Sequence, residues 1–77
     1  MKTVQVRPAQ IGWIVSSEGL ENAPLAFLSG GRAESAARQL ALAMADVHGQ
    51  AQVVVRDRRG VVVGSMVFGH GGVPNAA

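Results

Sequence analysis

The chain has 77 residues, 48% of them hydrophobic and 16% charged, which gives one domain with a small core and leaves apolar surface for a partner. Cysteine is absent, which excludes disulfides, thiolate metal ligands and cysteine nucleophiles. The net charge of +2 is a weak electrostatic footprint for nucleic-acid binding.

The first predicted element is a strand over Lys2–Arg7. Polar and apolar residues alternate there, and Val4 and Val6 share one side. Pro8 follows and cannot donate a ladder hydrogen bond. We therefore predict an edge strand that ends at Pro8.

Two further strands precede the helix. Ile11, Trp13 and Val15 alternate with Gly12, Ile14 and Ser16, which predicts a strand whose heavier face, formed by the first three, points inward. A loop rich in turn residues follows. Leu25–Leu28 then predicts a short third strand.

One amphipathic helix is predicted between Gly31, a candidate N-cap, and Gly49, which suits the C′ position. At 3.6 residues per turn, one side of the helix is apolar and Leu42 points away from it, so we expect Leu42 to be exposed. The apolar side comprises Ala33, Ala36, Ala37, Leu40, Met44 and Val47.

A valine-rich hairpin follows, with a turn at Asp57–Gly60 that places Gly60 in the left-handed region. The implied pairs on the face toward the helix are Asp57 with Val61, Val55 with Val63, Val53 with Ser65 and Ala51 with Val67. The reverse face then carries Gln52 with Met66, Val54 with Gly64 and Arg56 with Val62, and nothing covers it.

The predicted fold class is α+β, a small antiparallel sheet of about four to five strands crossed by one helix, in the order β-β-β-α-β-β. Residues 1–68 form the domain and 69–77 a flexible tail. The core prediction places Leu40, Met44 and Val47 on Val53, Val55, Val61 and Val63, with Trp13 closing one side.

Five segments agree in order and spacing with one known family. They are Val4-Gln5-Val6-Arg7-Pro8, Gly12-Trp13-Ile14-Val15, Arg32-Ala33-Glu34-Ser35-Ala36, Gly49-Gln50-Ala51-Gln52-Val53-Val54-Val55 with Asp57-Arg58-Arg59-Gly60, and Phe68-Gly69 with Pro74. Together they resemble small bacterial proteins of domain-of-unknown-function family 2188. The connection from the predicted third strand to the helix is longer here than is usual in that family. The resemblance implies a strand-rich fold with one helix across a sheet, and it carries over no catalytic residue.

Residues that could support catalysis or bind a metal are scattered. His48 ends the predicted helix and His70 lies in the predicted tail, so neither belongs to a rigid constellation. Gly30-Gly31 precedes the helix, but capping explains it better than a phosphate loop does. We predict a non-enzymatic protein with no metal and no cofactor.

The partner hypotheses belong to two classes. The first is an interaction module that forms a homodimer or binds another protein through the uncovered strip Val54, Val62 and Met66, with Leu42 as a further apolar contact. The alternative is nucleic-acid binding through Arg56, Arg58 and Arg59 of the hairpin, although aromatic residues for stacking on bases are few. Lacking a signal peptide or a run of roughly 20 apolar residues, the chain is expected to be cytoplasmic without a membrane partner.

Overall fold

The computed structural model describes residues 1–19 and 21–69, which form one helix and five strands. The α+β class and the order β-β-β-α-β-β are confirmed. The predicted tail falls, apart from Gly69, outside the described residues. The elements are β1 (Lys2–Pro8), β2 (Trp13–Ser17), β3 (Leu25–Phe27), α1 (Gly30–His48), β4 (Ala51–Arg56) and β5 (Val62–Phe68).

The five strands form a mixed sheet in the order β3-β2-β1-β4-β5. Strand β1 is therefore central and not at an edge, because α1 carries the chain from β3 across the sheet to the far side of β1. There β4 pairs parallel to β1, with Val4 beside Val53, so the sheet is not purely antiparallel. Pro8 is tolerated because the β1–β4 pairing ends at Val6, before the missing N–H would be needed.

Helix α1 rests on the sheet through four alanines spaced one turn apart, and each is 0% exposed. Methyl groups keep the helix backbone close to the sheet, where the largest fully buried side chains are Val4, Val6 and Val15. The core is consequently thin and leaves little room for a larger side chain beneath the helix. The four alanines are Ala33, Ala37, Ala41 and Ala45.

The helix ends are set by local hydrogen bonds. The N-cap is Ser29 and not Gly31, since the Ser29 hydroxyl accepts a 3.0 Å hydrogen bond from the Arg32 amide. Gly49 ends the helix at a φ of 91° and donates its amide to the Ala45 carbonyl at 2.8 Å, as a C′ glycine should. Trp13 lies against the first turn of the helix, beside Gly30, and packs at the side of the core as predicted.

The rotational phase predicted for the helix is partly wrong. Leu40 and Met44 are half-buried beside the core, but Val47 is 77% exposed. Leu42, predicted to be exposed, is half-buried and packs against the core. The centre of the buried face, which the four alanines define, is rotated about the helix axis by roughly 60° from the predicted centre. A helix this close to the sheet places its short side chains at the centre of the contact and its long ones at the flanks.

The hairpin register is shifted by one residue from the prediction along most of its length. Val53 pairs with Met66 and Val55 with Gly64, and a bulge after Val55 restores the predicted pair of Arg56 with Val62. Because side chains alternate between faces, this shift moves Met66 and Phe68 to the helix side. The prediction that Val61 and Val63 belong to the core is wrong, since they are 51% and 63% exposed.

Candidate interaction surface

Strand β5 is the long exposed edge of the sheet within the described residues. Its seven residues, VVGSMVF, include no charge and no proline. Val62, Val63 and Met66 are 47%, 63% and 40% exposed, and the outward backbone groups of the strand lack a neighbouring strand. Natural edge strands normally carry a charge, a proline or a cover that prevents pairing with another chain. Of these protections, the described residues give strand β5 only the bulge beside Val63.

The opposite edge, β3, differs from β5 in its length and in the residue that precedes it. It is three residues long, and Pro24 precedes it directly. A short strand beside a proline offers few backbone groups for pairing. The two edges are therefore unequal, and β5 exposes the longer row of backbone groups.

A groove runs between α1 and β5 on the helix side of the sheet. It arises because the helix lies over the middle strands and does not cover β5. Its volume is about 210 Å³, and Glu34 and Arg38 of the helix stand at its rim. The floor and the outer wall come from Val53, Val55, Gly64 and Met66, together with Ser65, whose side chain points to the opposite face of the sheet.

The residues predicted to form one partner strip lie at different places. Val54 is on the uncovered face but only 9% exposed, between Gln5 of β1 and Ser65 of β5. Val62 pairs with Arg56 on that same face, whereas the register shift places Met66 on the helix face. Leu42 belongs to the flank of the core. The structure therefore does not assemble the four into one surface.

The three hairpin arginines all make contacts within the protein. Arg56 is half-buried, and its guanidinium donates to the Gln5 side chain at 3.1 Å and to the Gly60 carbonyl at 2.8 Å. Arg58 donates to the Ala9 carbonyl at 3.0 Å, which joins the hairpin turn to the β1–β2 turn. Arg59 pairs with Asp57 at 3.3 Å and is otherwise exposed. These contacts order the hairpin turn and leave the outer donors of Arg58 and Arg59 in solvent.

Asp57 organises the same turn. Its carboxylate accepts hydrogen bonds from the Val61 amide at 3.0 Å and from the Arg59 amide at 2.8 Å. The bond from the Val61 amide is the main cause that lowers the pKa of Asp57 below its usual value. The predicted turn is confirmed, with Gly60 at a φ of 82° and its amide donating to the Asp57 carbonyl at 3.0 Å.

Charge is distributed unevenly along the strand direction. The hairpin turn, the β1–β2 turn and the start of the helix share one end of the sheet, as the strand pairings require. Two side-chain carboxylates of the described residues, Glu34 and Asp57, lie toward that end. The opposite end holds Glu18, Glu21 and Asp46 beside Lys2. The arginines at the first end are Arg7, Arg32, Arg56, Arg58 and Arg59.

The described part of the chain offers few groups of side chains that could bind a metal or support catalysis. Within residues 1–19 and 21–69, no three His, Cys, Asp or Glu side chains are grouped closely enough to hold a metal ion. His48 is exposed at the end of the helix, and His70 lies outside the described residues. Over the same ranges, no helix has the length and apolar character needed to cross a membrane.

Gly64 and Val63 of β5 are the surface residues that sequence reasoning did not single out. The available signal was a glycine inside a valine-rich strand, which often marks a bulge or the close approach of another backbone.

Comparison of the chain with models of known protein families, with curated proteins and with solved structures finds no match.

Proposed function

We propose that this protein is a non-enzymatic interaction module that forms a homodimer by pairing the β5 edges of two copies. The observation that carries the proposal is that β5 is a seven-residue edge strand with no charge and no proline. Two such edges meeting antiparallel satisfy each other's outward N–H and C=O groups and extend the sheet across a two-fold axis.

The composition of the core supports a need for such a partner. The centre of the helix–sheet contact consists of alanines against valines, so each buried side chain contributes little apolar area. A domain of this size has few such contacts to offset its conformational entropy. Pairing would cover Val63 and Met66, which are 63% and 40% exposed in a single copy.

The expected affinity is modest. A seven-residue strand edge buries less than the roughly 800 Å² per partner of a standard interface. We therefore expect a dissociation constant in the micromolar range and not the nanomolar range.

Sedimentation equilibrium tests the proposal directly. The wild-type protein should change from monomer to dimer over roughly 1 to 100 µM. Val63→Lys introduces a charge at the β5 edge and should give a monomer over that range, as charged edges do in natural sheets. Val47→Lys is the matched control, since Val47 is 77% exposed on the helix, and it should dimerise like wild type. A wild-type monomer throughout the range would refute the proposal.

The uneven charge supports a second candidate function, nucleic-acid binding by the arginine-rich end. Arg58 and Arg59 are exposed there, and their outer donors could contact phosphates. A gel-shift assay with mixed DNA and RNA at low salt should then show binding, and Arg58→Ala with Arg59→Ala should lower the salt dependence by about one unit per lost phosphate contact. Arg38→Ala, away from that end, is the control. No shift with either nucleic acid would eliminate this function.

The setting we propose for the module is the bacterial cytoplasm. The resemblance to domain-of-unknown-function family 2188 supports a bacterial source, and the absence of cysteine is compatible with a reducing compartment. Dimerisation through β5 requires no metal and no cofactor.

A further inference from the structure

Gly64 in the middle of β5 occupies a position where the fold of a single copy would accept a side chain. Its φ is not positive, unlike that of Gly12, Gly19, Gly49 and Gly60. A Cβ built on Gly64 would meet only the Cβ of Val55, at 3.9 Å, which is an ordinary contact. Neither the backbone nor the space around it therefore requires a glycine, although glycine is unfavourable inside a strand.

The side chain nearest in register on the same face is large. Met66 follows Gly64 by two residues, so both point to the helix side, where Met66 is 40% exposed above the groove. Ser65 stands between them and points to the opposite face. The edge thus presents a projection and a gap at equal distances on either side of Ser65.

We propose that the two copies pair antiparallel about a two-fold axis at Ser65, so that Met66 of each copy lies over Gly64 of the other. This inference rests on the dimer proposed above and specifies its register. A two-fold axis brings the same patch of both copies together, and a gap beside a projection is the shape that matches itself under that rotation. On the opposite face, Val63 of one copy then lies beside Val67 of the other.

The charges favour a second copy in this orientation. No charge lies on β5 itself, so the two strands approach without like-charge contact. Antiparallel pairing also reverses the second copy relative to the first. The arginine-rich end of one copy therefore lies on the same side of the dimer as the acidic end of its partner, which holds Glu18, Glu21 and Asp46. Parallel pairing would instead place the two arginine-rich ends side by side.

Disulfide trapping tests the register, because the chain contains no native cysteine. With the axis at Ser65, the Ser65→Cys variant should form a covalent dimer under mild oxidation, since directly opposed residues have Cβ atoms about 5 Å apart. Val63→Cys alone should not form a covalent dimer. Its two cysteines would be four residues apart along the paired strands, or about 13 Å at about 3.3 Å per residue. An equal mixture of Val63→Cys and Val67→Cys proteins should cross-link to each other.

Substitution of Gly64 tests the shape complementarity. Gly64→Val should leave the unfolding of the dilute monomer unchanged or improved, since the added Cβ meets only Val55 and the groove beside it is open, but it should weaken dimerisation by more than about tenfold. The exchange variant, Gly64→Met with Met66→Gly, restores a projection opposite a gap. It should recover dimerisation to within about threefold of wild type.

The outcomes separate this inference from the proposal on which it rests. If wild type is a monomer at all concentrations, both fail. If wild type dimerises but Ser65→Cys does not cross-link, or Gly64→Val dimerises as wild type does, the dimer remains and this register is refuted. Cross-linking of Ser65→Cys together with loss and recovery in the Gly64 variants establishes the register.

Discussion

Replacing Ala41 with leucine should destabilise the protein strongly, although leucine is itself a good helix former. Ala41 is 0% exposed in the alanine stripe that holds α1 against the sheet, so the larger side chain can enter only by displacing the helix. Overpacking of this kind costs about 1 to 3 kcal/mol. For a domain of 60 to 100 residues, each kcal/mol lowers Tm by about 4 to 8 °C, so we expect a decrease of about 4 to 24 °C.

The matched control is Ala43→Leu. Measured from Ala33, the two alanines lie about 80° to either side of it, so helical periodicity alone treats them alike. The structure does not, because Ala43 is exposed, and its replacement should change the stability by less than about 0.5 kcal/mol. Thermal melts followed by circular dichroism should be recorded at low protein concentration, where dimerisation adds no stability. Equal melting temperatures for the two variants would refute the assigned packing face.

Three further variants or titrations test the remaining features. Ser17→Ala should raise the unfolding free energy by about 1 kcal/mol in denaturant titrations, because the Ser17 hydroxyl is buried and lacks a hydrogen-bond partner among the described residues. The pKa of Asp57 is lower in the folded protein than its value of about 3.9 in the unfolded chain. The carboxylate therefore stabilises the fold above a pH of about 3.9, and this contribution is lost as the pH falls through the folded pKa. An NMR titration of the carboxyl group with a midpoint at or above about 3.9 would contradict the hydrogen bond from the Val61 amide. Gly12→Ala should lower Tm more than Gly19→Ala does. Both glycines have positive φ, but only at Gly12 would the added Cβ overlap a carbonyl oxygen, that of Phe27 at the end of β3. Equal decreases in Tm would mean that backbone strain alone is responsible.

Local patterns in the sequence were sufficient to predict the elements and their order. Alternation marks the strands, a period of 3.6 marks α1, and the turn at Asp57–Gly60 and the end of the helix at Gly49 follow from residues whose conformational preferences act over a few neighbours. These interactions are short in range, so the sequence contains nearly all the information that determines them.

Tertiary structure decided where each element lies and which face it buries. The position of β1 at the centre of the sheet depends on where α1 returns the chain, which no local pattern encodes. The bulge after Val55 shifts the hairpin by one residue and exchanges the faces that Met66 and Gly64 occupy. The helix buries its alanines because a close approach to the sheet favours small side chains. A prediction based on hydrophobicity alone instead places Leu40 and Val47 in the core, since they are more hydrophobic than alanine. The candidate surface follows from these long-range choices. The sequence predicted one strip of Val54, Val62, Met66 and Leu42, whereas the register and the helix packing place these four residues at separate sites, with Val62 and Met66 on β5.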